Sequence, residues 1–110
     1  MAYIPQQGDI ILIDFNPQAG HEQKGKRPAY VVSNYTFNQF TKMAIVCPIT
    51  NTNKGFPLHV PLDERTKTTG VIMCEQAKSL DIVARESSFL EKSSQDILDE
   101  VIDIFIGFVE

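Results

Sequence analysis

Two regimes of apolar spacing divide the chain. Up to residue 83, apolar residues come in short, β-branched runs punctuated by turn residues. The first, Ile10-Ile11-Leu12-Ile13-Asp14-Phe15, is nearly continuous, which predicts a short strand buried on both faces. Asn16-Pro17 breaks it, and a polar loop from His21 to Pro28 follows. Ala29-Tyr30-Val31-Val32-Ser33 predicts a second strand, with Arg27 held extended at its very start because Pro28 disfavours helix there. Residues 34–42 are polar with Phe37 and Phe40 embedded, which predicts a hairpin loop or short helical turn that packs its rings down. Residues 43–50 predict a third strand, and Asn51-Thr52-Asn53-Lys54-Gly55 is turn chemistry. Residues 56–62 alternate cleanly, but Pro57 and Pro61 demote them to an edge strand. After a charged loop, residues 70–77 read as a strand that turns polar at its end, and residues 79–83 continue the β character after a bulge or bend.

The period then changes. Ile97, Val101, Ile104, Phe105 and Phe108 recur at helical spacing, which predicts an amphipathic helix of about four turns. Ser93 is its expected N-cap, with Asp96 in the capping-box position. The fold class is therefore mainly β with a C-terminal α-helix, built as a compact barrel or two packed sheets.

Composition narrows the function classes. With 110 residues, 43% hydrophobic and 22% charged, the chain fits one domain over residues 1–110 with a single modest core. No apolar run is long enough for a transmembrane helix, and the first five residues lack the basic and apolar regions of a signal peptide, so a cytoplasmic location and no membrane partner are expected. Cys47 and Cys74 sit inside apolar runs, as small buried residues in a reducing compartment would. With no CxxC pair and two histidines, neither a metal site nor a cofactor is expected. The net charge is −4, yet residues 1–90 carry +1 and residues 91–110 carry −5. The acidity thus belongs to the terminal helix, and the remainder can present a positive face to a polyanion.

Candidate chemistry gathers at strand ends and loops: Glu22, Arg27, Thr50, Glu75 and Gln76. Cleavage of RNA by its own 2′-hydroxyl needs a base, donors for the phosphoryl oxygens, and help for the departing 5′-oxygen. Glu22 or Glu75 can serve as base, the planar fork of Arg27 matches phosphate oxygens, and the Thr50 hydroxyl can donate. Arg27 is a poor proton donor, so its role is electrostatic. Lys24, Lys26, Lys54 and Lys78 can line a phosphate track, and His21 lies close enough to the loop to touch a nucleotide. The competing readings are structural. Glu22 and Arg27 can be a solvated pair contributing about 0–1 kcal/mol, Thr50 can serve its turn, His59 is expected at the surface or in packing, and core packing is the expected use of Phe37, Phe40 and Phe56.

The stretch Gly8-Asp9-Ile10, Asp14-Phe15-Asn16-Pro17 and Gly20-His21-Glu22-Gln23-Lys24-Gly25-Lys26-Arg27-Pro28-Ala29 resembles the N-terminal signature of the MazF/PemK/Kid family of bacterial toxins. Phe37-Asn38, Pro48-Ile49-Thr50, Lys54-Gly55-Phe56, Thr69-Gly70-Val71 and Glu75-Gln76-Ala77-Lys78-Ser79-Leu80-Asp81 follow in order, so the resemblance spans essentially the whole chain. It implies a small SH3-like β-barrel with a C-terminal helix, acting as a homodimer. It also implies a metal-independent, ribosome-independent endoribonuclease that cuts single-stranded mRNA at short sequences. The products carry 2′,3′-cyclic phosphate and 5′-hydroxyl ends, a cognate antitoxin inhibits the enzyme, and DNA is met only through the toxin–antitoxin complex. The family's loop glutamate falls on Glu22, its arginine before proline on Arg27, its threonine on Thr50, and the acid of the Kid branch on Glu75. His21, Gln23, Lys24, Lys26, Lys54, Gln76 and Lys78 become RNA contacts. The departure is Met73, where the Kid branch has an arginine given acid duty. The base remains open between Glu22 and Glu75. The alternative is the related CcdB type of toxin, which shares the architecture but binds and poisons DNA gyrase without hydrolysis, and a third option is an SH3-like interaction module without toxicity.

Overall fold

A computed structural model describes residues 3–15, 25–52 and 55–110. Seven strands and two helices follow in order: β1 (Asp9–Asp14), β2 (Lys26–Val31), α1 (Tyr35–Thr41), β3 (Met43–Thr50), β4 (His59–Pro61), β5 (Val71–Met73), β6 (Lys78–Asp81), β7 (Ser88–Lys92) and α2 (Gln95–Val109). All strand pairings are antiparallel in one barrel-like sheet that does not close, in the order β4-β5-β3-β2-β1-β7 with β6 also on β3. β3 pairs with β2 along one edge, while its other edge is shared by β6 over residues 43–46 and β5 over residues 49–50. Pro48, which has no N–H to donate, falls between those two stretches.

Register sorts the apolar residues into two cores on opposite faces. Ile10, Tyr30 and Cys47 align across β1, β2 and β3, and join Ile49, Val60, Ile72 and Cys74 under Ile97 and Val101 of α2. Ile11 and Ala29 align on the other face, and pack with Ile13, Val31, Ala44, Val46, Leu80 and Ile82. A central strand covered on both sides cannot alternate apolar with polar, which is why β1 reads as a continuous run. The Tyr30 hydroxyl lies 2.6 Å from Ser93 Oγ, tying β2 to the start of α2. Burial pushes the Tyr30 phenol up to about 12, outweighing the opposing effect of that hydrogen bond. Asp9, also buried, accepts from the Tyr3 hydroxyl and pairs with Lys92 Nζ at 2.8 Å.

Several expectations need correction. The N-cap of α2 is Ser94, not Ser93: the Ser93 hydroxyl is taken by Tyr30 and by the Gly8 carbonyl at 3.1 Å. Phe37 and Phe40 do not pack down, Phe40 being 92% exposed, and Phe56 is exposed as well. The residue that α1 buries is Asn38, whose amide donates to the Pro5 carbonyl at 2.9 Å and the Ser33 carbonyl at 3.2 Å while accepting from Ser33 Oγ. Two chain segments there leave carbonyls without ladder partners, so an amide satisfies what a phenyl ring cannot. The strand read over residues 70–77 is Val71–Met73 followed by a single 3-10 turn, Cys74–Gln76, and the next strand stops at Asp81. β7 has no counterpart in the sequence reading. Its pairing with β1 shifts by one residue between Ile10 and Ile11, leaving Leu90 as a bulge that destroys the alternation.

Arg65 fastens the loop between β4 and β5 to the first turn of α2, donating to both oxygens of Asp63 and of Asp96. Its hydrogen bonds hold both carboxyls below the usual carboxylate range. The folded state therefore favours the ionised acids. This contribution is complete above about pH 4, the ordinary carboxylate value, and disappears as pH falls through the lower folded values. Among the described residues no helix is long and apolar enough to cross a membrane.

Two measurements check these assignments. Asn38→Leu should lower the unfolding free energy by about 2–3 kcal/mol in urea titrations, because buried carbonyls lose their donor, whereas Phe40→Ser should stay within about 0.5 kcal/mol. The stability gap between wild type and Arg65→Ala should be widest at neutral pH and shrink as the solution is acidified below about pH 4. A gap independent of pH would contradict the role given to Arg65.

Candidate active site

The site begins with strand register. Ala29 pairs with Pro48 where the β2–β3 ladder ends, and two residues beyond, on the same face by the period of two, stand Arg27 of β2 and Thr50 of β3. Arg27 is the second residue of β2, aligned with Ile13 of β1, rather than the start of the strand. It is exposed, and among the described residues its guanidinium has no hydrogen-bond or ion-pair partner. Thr50, the last residue of β3, is half-buried, and its hydroxyl oxygen accepts from the Thr52 N–H at 3.2 Å. The hydroxyl proton is left free to donate outward.

Thr50 is held from the other side by β5. It aligns with Val71, and the preceding residue, Gly70, has φ +119°. A Cβ on Gly70 would come within 2.3 Å of the Thr50 carbonyl oxygen. Only glycine combines that backbone angle with that approach.

Beyond β5 lies β4, where His59 aligns with Met73. The 3-10 turn after Met73 buries Cys74 and swings Glu75 and Gln76 outward, so these two stand on a turn rather than at a strand end. Burial beside the Cys74 thiol belongs to the core: that thiol's hydrogen bond and desolvation push the Cys47 thiol up. Glu75 Oε2 lies 3.0 Å from His59 Nε2, and Phe56 meets the His59 ring edge-on with centroids 5.2 Å apart. Thr50, Thr52, Phe56, His59, Met73, Glu75 and Gln76 line an open cleft of about 440 Å³.

The structure therefore gathers Thr50, Glu75 and Gln76 in one cleft, with Arg27 on the sheet face of Thr50 beyond the end of the β2–β3 ladder. Lys26 follows Asp14 in register and, as Arg27's neighbour along the strand, takes the opposite face. Lys78 pairs with Val46, four residues before Thr50, which is roughly 13 Å away along β3. It does not line the cleft. His21, Glu22, Gln23, Lys24 and Lys54 lie outside the described residues. His59, expected at the surface or in packing, does pack against Phe56 and also lines the cleft beside Glu75. Its signal, a histidine two residues after a proline in an alternating edge strand, points to the cleft only when the β4–β5 register is known.

Residues 6–106 match the model of a family described as PemK-like, MazF-like toxin of type II toxin-antitoxin system. The chain belongs to this family. Among its relatives is the endoribonuclease PemK of Escherichia coli, 37% identical over 101 residues, covering 88% of this chain and 76% of that protein. The endoribonuclease toxin MazF of Escherichia coli is 41% identical over 78 residues, covering 71% of this chain and 69% of that protein. In solved structures, MazF of Deinococcus radiodurans superposes with a TM-score of 0.84 at 36% identity, covering 96% of this chain and 99% of that one. A MazE-MazF structure from the same organism gives a TM-score of 0.85 at 29% identity, covering 97% and 96%. The toxin family's architecture is thus the one observed here: a mainly β, barrel-like sheet with a C-terminal helix.

Gly70→Ala tests how the site is positioned. It should cost at least about 1 kcal/mol of stability and shift the backbone amide resonances of Thr50 and Asn51. Unshifted resonances would contradict the close approach.

Proposed function

We propose that the protein is a sequence-specific, ribosome-independent endoribonuclease of single-stranded mRNA, the toxin of a toxin–antitoxin pair, acting in the bacterial cytoplasm as a homodimer. The observation that carries this reading is a cleft that holds Thr50 and Glu75, with Arg27 on the sheet face of Thr50 just past the end of the β2–β3 ladder. A guanidinium without a side-chain partner among the described residues is available to a phosphate. The names of the relatives, endoribonucleases PemK and MazF, support the same chemistry, and the MazE-MazF structure supports a protein antitoxin as partner.

RNA brings its own nucleophile. A carboxylate takes the proton of the 2′-hydroxyl, the 2′-oxygen bonds to phosphorus, and the bond from phosphorus to the 5′-oxygen breaks, the leaving oxygen taking a proton from water. The ends are a 2′,3′-cyclic phosphate and a 5′-hydroxyl. Arg27 stabilises the charge that grows on the non-bridging oxygens, and the free Thr50 proton supplies a second donor. Met73 offers no proton, so the chemistry rests on this electrostatic support rather than on an acid at that place. Of the two candidate bases, Glu75 is favoured because it lines the cleft with Thr50. Glu22, Lys24 and Lys54 are expected to contribute from the loops, with Gln76 reading a base at the cleft wall.

The test is cleavage of a mixed-sequence RNA in the presence of chelator, with the product ends identified. Wild type should leave 5′-hydroxyl ends. Arg27→Ala should lower kcat/KM by about 10²–10³ or more without changing the melting temperature, and Arg27→Lys should not restore it, because a point charge does not reproduce the planar fork. An active Arg27→Ala variant overturns the mechanism. Growth arrest by a protein that leaves no cyclic-phosphate ends would instead favour a gyrase-binding toxin.

A further inference from the structure

We infer that His59 is a positioning residue for the reaction: its imidazole holds one oxygen of Glu75 so that the other faces the bound RNA. The inference rests on the endoribonuclease reading with Glu75 as base, and adds the group that aims that base.

Four observations converge on it. Nε2 of His59 lies 3.0 Å from Oε2 of Glu75, and among the described residues neither side chain has another hydrogen-bond or ion-pair partner. The other ring nitrogen, Nδ1, is buried without any partner among them. The His59 side chain is 11% exposed against 26% for Glu75, so the ring is the fixed member of the pair and the carboxylate the one that meets the cleft. Finally, the turn that carries Glu75 is tied by its backbone to the residue just before His59, the Cys74 N–H donating to the Leu58 carbonyl at 3.3 Å.

The chemistry follows from which nitrogen carries the proton. An N–H at Nδ1 would be buried without an acceptor, a costly arrangement. With the proton on Nε2 the ring donates to Glu75 and leaves Nδ1 only an unpaired acceptor, a smaller cost than a buried N–H without a partner. Phe56 against the ring edge and Met73 opposite in the sheet keep the imidazole from turning. Glu75 then has one oxygen engaged and one free, on a turn held at two points. A general base must sit within hydrogen-bond reach of the proton that it removes, and displacement by about 1 Å can cost about 100-fold in rate. A turn-borne glutamate without such a support would sample several rotamers at the cleft wall.

His59→Phe keeps the ring's shape and removes the donor, whereas His59→Gln keeps an amide N–H near the place of Nε2. His59→Phe should lower kcat at least about 10-fold with KM nearly unchanged, and His59→Gln should recover most of the loss. In the Glu75→Gln background, His59→Phe should add no further loss of kcat, because there is no base left to aim. Melting curves of each variant separate these effects from misfolding. Equal impairment of the Phe and Gln variants would reduce His59 to packing and overturn the inference, as would wild-type kcat in His59→Phe when Glu75→Gln is inactive. Full activity of Glu75→Gln would overturn Glu75 as the base and this inference with it. A wild-type protein that leaves RNA uncut would overturn the endoribonuclease reading instead.

Discussion

The paired backbone of β3 is the constraint on which the rest depends. Each of its eight residues has a ladder partner on at least one edge, β2 on one side and β6 then β5 on the other. The change from β6 to β5 spans Cys47 and Pro48, the latter being the residue that cannot donate. One half of the strand, with β6, helps build the core around Val46 and Leu80. The other half carries Ile49 under α2 and delivers Thr50 to the site. Because the side-chain period of a strand is two, a slip of one residue would bury Thr50 and expose Ile49. Two cores on opposite faces make that slip costly from both sides. The register that stabilises the fold is therefore the same register that puts Arg27 and Thr50 on one face of the sheet.

Loops and turns then complete what the sheet begins. Gly70 lets one backbone pass against the Thr50 carbonyl, and the 3-10 turn after β5 separates a buried Cys74 from an outward Glu75. The acidity of the C-terminal segment stays on the exposed side of α2, at Asp99, Glu100 and Asp103, while Ile97 and Val101 face the core. A net charge of −4 accordingly says little about the face that carries Arg27.

Much of this was legible in the chain, and the parts that were not share a cause. β3 was readable to its last residue because a largely apolar run ends there at strong turn chemistry, and α2 because its stripe persists over four turns. β7 was not, since a bulge at Leu90 erases the period. Asn38 and the phenylalanines of α1 were read the wrong way round, because hydropathy ranks rings above an amide, and no local pattern reveals that the carbonyls of Pro5 and Ser33 need a donor. At the site, Arg27 and Thr50 were recognisable from their neighbours Pro28 and Pro48. His59 was not, because its meaning depends on a register between β4 and β5 that the nine intervening loop residues conceal. The motif residues also divide by role. Asp9, Asn38 and Gly70 hold the backbone together, whereas Arg27, Thr50 and Glu75 offer free polar atoms.

The central claim is that the RNA's own 2′-oxygen attacks, with the sheet supplying charge and position. It is tested most directly by a single 2′-deoxy substitution in a short RNA, at the nucleotide on the 5′ side of the bond that the protein cuts. The account predicts that this oligonucleotide binds as the all-ribose control does and is not cut at that bond. Cleavage of the deoxy bond at the control rate would contradict it.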